Sequence, residues 1–167
     1  MKNLSILTLC LLSFTAFTPQ FVKSETINHE SQNYQKQYLS DIGATKTIQE
    51  GNFQNGEHKT KGTARILQDE NGRYYIQFDS NFTTEKGPDL FVILHRSDDI
   101  LGSSTPPNYP LEKSEYYIVS PLMEEKGKQR YILPGDFDPS QYQSIAVWCR
   151  QFNATFGAAS LKDVTKR

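Results

Sequence analysis

The side chains with chemistry to offer are few: cysteines Cys10 and Cys149, histidines His29, His58 and His95, and the single tryptophan Trp148. Trp148 and Cys149 are adjacent, inside the run Ile145-Ala146-Val147-Trp148-Cys149-Arg150. A thiolate can serve as nucleophile, redox centre or metal ligand, and local charge and burial decide whether it forms. Cys10 falls in an apolar leader, so after processing Cys149 stands alone. A dithiol cycle of the thioredoxin kind then lacks its second sulfur. An odd cysteine in an exported chain reads as an intermolecular partner, a sequestered core thiol or a reactive group. Cys149, His58 and His95 are enough for three zinc ligands, but the paired spacing of a zinc motif is missing. Asp69, Asp98, Asp99, Asp136 and Asp138 stand in turn contexts, where a carboxylate caps backbone groups, and this argues against a calcium loop. No serine has the surroundings of a nucleophile elbow, so the sequence does not read as a turnover enzyme.

These residues need a scaffold, and the pattern around them is that of strands. The run ending at Cys149 is β-branched and apolar without helical spacing, as in a strand buried on both faces. Alternation puts Ile145, Val147 and Cys149 on one side and Ala146, Trp148 and Arg150 on the other. Arg150 is a poor core residue, which turns the cysteine inward and leaves Trp148 partly outward or under a loop. Further strands are expected near 47–53, 62–68, 73–79, 90–95, 115–120, 129–133 and 155–161, in addition to 144–150. Asn71-Gly72 supplies the positive φ for a hairpin between the second and third. Asp138-Pro139 reads as a cap followed by a first helical residue. Ser97 to Pro110 is a long loop. Short strands at this spacing predict an all-β sandwich or barrel.

Ahead of the strands, residues 1–24 have the form of a secretory signal: Lys2, then the apolar stretch Leu4 to Phe17, then Val22-Lys23-Ser24 before Glu25. A lipoprotein signal ending at Cys10 is the competing reading, with bulky Leu9 where a small residue is wanted. Residues 25–46 are polar and aperiodic and read as a flexible lead-in that holds His29 as a solvated side chain. The sandwich then spans 47–163. With 18 basic groups in the whole chain, losing Lys2 and Lys23 leaves 16 against 19 acidic ones. A mildly acidic domain without a basic stripe argues against a nucleic-acid partner. No stretch after the signal is long and apolar enough to span a membrane. The expected location is secreted or periplasmic.

Gly51-Asn52-Phe53, His58, Gly62-Thr63-Ala64, Gly87-Pro88-Asp89-Leu90-Phe91-Val92, Tyr131-Ile132-Leu133-Pro134, Tyr142, Ser144, Val147-Trp148-Cys149, Phe152 and Phe156-Gly157-Ala158-Ala159 together resemble the DM-thirteen domain family, from about Gln49 to Leu161. The resemblance implies a β-sandwich of about eight strands, jelly-roll-like or related to DOMON-type domains. It also implies electron transfer with an external redox partner, through a signature cysteine that acts as a bare thiol or as a ligand to a prosthetic group such as haem. That cysteine falls on Cys149. Under a haem reading His95 or His58 would be the second axial ligand and Trp148 would flank the group, held non-covalently because no Cys-x-x-Cys-His is present. On this reading Cys149→Ser abolishes redox behaviour or cofactor retention and shifts stability by less than about 1.5 kcal/mol. A different reading of the same scaffold is a carbohydrate-binding or adhesion module that presents Trp148, Tyr74, Tyr75, Tyr109, Tyr116, Tyr117 or Tyr131 to sugars, with Cys149 as a small core residue.

Overall fold

A computed structural model of the chain describes residues 43–165. The expected signal, most of the lead-in, Cys10 and His29 lie outside the described residues. Nine strands follow one another: β1 Thr45–Asn55, β2 Thr63–Asp69, β3 Tyr74–Phe78, β4 Leu90–His95, β5 Tyr116–Pro121, β6 Gln129–Ile132, β7 Ser144–Cys149, β8 Ala154–Ser160 and β9 Lys162–Asp163. Every pairing is antiparallel, and the order across the sheet is β5-β4-β7-β8-β1-β2-β3-β6, with β9 beside β1. β1 makes the turn between the two halves. Its first part, from Thr45 to Asn52, pairs with β2, and its last residues, Phe53 to Asn55, pair with β8. The sheet thereby folds over on itself, and the edge strands β5 and β6 approach each other, so the all-β fold is nearly closed like a barrel.

Closure buries one face of each half against the other. Phe53, Ile66, Ile76, Phe78 and Phe82 meet Val92, Leu94, Ile145, Val147, Cys149 and Phe156 in the main core. Phe78 is its centre, edge-on to Phe53 at 5.1 Å and tilted against Phe82 at 4.5 Å. The bend in β1 requires Gly51: a Cβ there would stand 2.1 Å from the Ser160 carbonyl oxygen, closer than any side chain can pack. At the β2–β3 hairpin only Gly72 takes positive φ, at +81°, and Asn71 does not. The buried Asp69 carboxylate organises that turn instead, accepting from the N–H groups of Asn71 and Arg73, the Arg73 guanidinium and the Tyr75 hydroxyl at 2.8–2.9 Å.

β7 is buried at all six positions because both of its faces are covered. Ala146 and Trp148 belong to a second, smaller core with Phe91, Ile93, Ala158, Ile100 and Leu111. Ile100 comes from the long loop, in its one-turn helix α1, Ile100–Ser103, and Leu111 directly follows that loop. The long loop thus covers the second core. Asp138 and Pro139 start a 3-10 turn, Pro139–Gln141, that leads into β7.

Candidate functional site

Cys149 occupies the last rung of β7, in register with Leu90 of β4 and Ala154 of β8. Its side chain points into the main core and has no exposed surface. Arg150 follows in solvent and forks onto Asp89 at 2.9 and 3.2 Å, with its guanidinium 4.5 Å over Phe91. That ion pair ties the rung after Cys149, on the Phe91 face of the sheet. Gly87 lies close against the same end of the sheet, since a Cβ there would meet both Leu90 and Phe156 at 2.8 Å.

The other three candidate residues do not converge on the sulfur. Trp148 alternates to the opposite face, where its indole N–H donates to Asn153 Oδ1 at 2.9 Å and its ring tilts against Tyr116 at 5.0 Å. Asn153, at φ +48°, also bonds both backbone groups of Leu111 and so ties the loop to the β7–β8 turn. Nothing local in the sequence marks that residue, because its partner lies 42 positions away. His95 pairs with Ser144, at the far end of β4 from Leu90, five rungs or about 17 Å along the strand from Cys149. Its parity also places it on the Trp148 face. The ring is 6 % exposed and accepts from the Ser97 N–H at 3.0 Å. Burial holds its pKa below the ordinary histidine value, against the pull of Glu115.

His58 is the histidine on the side of the thiol. Its ring lies on Phe156 at 3.9 Å between centroids, and Phe156 shares the main core with Cys149. Both ring nitrogens face carboxylates, Nδ1 to Glu85 at 3.0 Å and Nε2 to Glu57 at 3.6 Å. The hydrogen bond from His58 and the Lys59 N–H hold the Glu85 carboxyl below its usual range. His58 is thus engaged with two carboxylates at the surface.

A haem does not fit these residues. Iron bound to Cys149 would need room for a macrocycle beside a sulfur that lies between Leu90 and Ala154 with no exposed surface. Two cavities among the described residues, one beside Glu50 and Lys162 and one beside Tyr117 and Phe137, are lined by other residues. His95, on the other face, cannot share a metal with Cys149. Among the described residues no three of His, Cys, Asp and Glu converge as a metal site. The tyrosines offered for sugar binding are mostly committed elsewhere: Tyr75 and Tyr131 are buried, Tyr116 packs on Trp148 and Tyr74 on Phe137. No described helix is long and apolar enough to cross a membrane. The family described as electron transfer DM13 has a model that matches residues 52–161, from within β1 to the residue after β8. No curated protein and no solved structure matches the chain.

Proposed function

The chain belongs to the DM13 electron-transfer family, and from that premise we propose that it is an exported redox domain in which Cys149 works as a bare thiol, without haem. One observation carries this reading. Cys149 is the only cysteine in the matched segment, and it lies at the end of a central strand among apolar neighbours. Such a setting keeps the sulfur from casual disulfide exchange. Reaction with a redox partner then depends on a local opening of the sheet end, where Leu90 and Ala154 flank the sulfur and the Asp89–Arg150 pair ties the next rung. Openings of this kind cost less than global unfolding. The apolar leader from Leu4 to Phe17 supports export.

The test is a visible spectrum and thiol-labelling kinetics on one sample of the purified full chain. The reading predicts no haem absorption, and labelling that is slow in native buffer and speeds up at denaturant concentrations below the unfolding transition. A haem band that is lost in Cys149→Ala would overturn it. So would labelling that occurs only through global unfolding.

A further inference from the structure

A cavity of about 230 Å³ opens at the other end of the sheet from Cys149, beside the start of β7. Tyr117, Phe137, Tyr142, Asp136, Asp138 and Gln141 line it. Phe137 and Tyr142 are stacked, 5.7 Å apart and 11° from parallel, and Tyr117 is inclined at 57° to Tyr142 at 6.5 Å. Tyr74 supports Phe137 edge-on at 5.5 Å. Tyr117 is 41 % exposed. Two carboxylates accompany the rings. Asp138 is fixed in place by Ser140 and Gln141, accepting at 2.7–3.3 Å. Asp136 is exposed beside it.

No lysine or arginine lines this cavity. At its edge the Arg96 guanidinium already lies 5.4 Å over the Tyr142 ring, so the aromatic cluster holds one cation by its negative face. A neutral ligand would desolvate two carboxylates without compensating their charge, and an anion would be repelled. A cation gains from both the rings and the acids.

We propose that this cavity binds an organic cation, an ammonium or guanidinium head group set against the exposed ring of Tyr117 at the edge of the Phe137–Tyr142 stack, with Asp136 and Asp138 as counter-ions. The site is independent of the thiol, being at the opposite end of β7. Calorimetric titration of the full chain tests it, with choline and arginine amide as cations, 3,3-dimethylbutan-1-ol as the neutral isostere of choline, and methyl glucoside as a sugar. Choline and arginine amide should saturate one site, and the two neutral compounds should not. Tyr117→Ala and Asp136→Asn, both at exposed positions, should each weaken the cation about tenfold. Asp136→Asn conserves volume, so it keeps the test decisive if Tyr117→Ala folds poorly. Equal binding of the neutral isostere, preference for the glucoside, unchanged affinity in Asp136→Asn, or no saturable binding of either cation would each overturn the proposal.

Discussion

Full burial of the Cys149 sulfur changes what a substitution there costs. Judged on volume alone, Cys149→Ser should move stability by less than about 1.5 kcal/mol. Among Leu90, Ala154 and Phe156, however, a serine hydroxyl has no partner, and an unpaired buried hydroxyl costs about 1–3 kcal/mol. Urea unfolding should place Cys149→Ser in that range, so Cys149→Ala is the cleaner functional probe. A serine variant as stable as the parent would mean that the pocket around the sulfur is polar or wet. His95 makes a pH prediction. Its folded pKa lies below the unfolded value of 6.5 because burial disfavours the imidazolium. Above about pH 6.5 both states are neutral at this side chain and its full contribution is present. As pH falls, the unfolded chain takes up a proton that the fold resists, and stability is lost until the pH has passed the folded pKa. In His95→Asn the amide oxygen can still accept from the Ser97 N–H, so denaturant midpoints should stay level between pH 7 and 5 where those of the parent decline. Equal declines would refute the assignment.

At the scale of the element, the bend in β1 and the closed end of the sheet can each be tested. Gly51→Ala forces a methyl against the Ser160 carbonyl and should cost about 1–3 kcal/mol or more by overpacking. Gly135→Ala, with nothing near its Cβ, should stay within about 0.5 kcal/mol. Arg150→Ala removes an exposed ion pair worth less than about 1 kcal/mol. Even so, it should raise the rate of Cys149 labelling several-fold if the pair holds the sheet end shut; an unchanged rate would place the opening elsewhere. The strands themselves were legible in the sequence because each alternates or runs apolar over a short span: Ala64 and Ile66 in β2, Tyr74, Ile76 and Phe78 in β3, and the continuous run of β7. The two-faced burial of β7 was legible for the same reason. Tertiary pairing was not. The handover of β1 from β2 to β8 and the short β9 depend on partners far along the chain. So does the Asn153–Leu111 tie over Trp148. His95 and His58 looked equivalent as ligands until strand register put one on the wrong face and carboxylates claimed the other.

For the whole molecule, the nearly closed sheet separates three environments along and across β7. The main core encloses the thiol at one end, the loop-covered second core encloses Trp148 on the other face, and the aromatic and acidic cavity opens at the far end. A domain of the DM13 electron-transfer family built this way keeps its one thiol in hydrocarbon, and under the proposed function exchange with a partner would take place where the sheet ends. The most direct test is voltammetry of the purified full chain beside Cys149→Ala, with unfolding curves showing that both are folded. The account predicts a redox response in the parent that is absent from the alanine variant, with no haem absorption in either. A folded Cys149→Ala protein that exchanges electrons at the parent potential would contradict it.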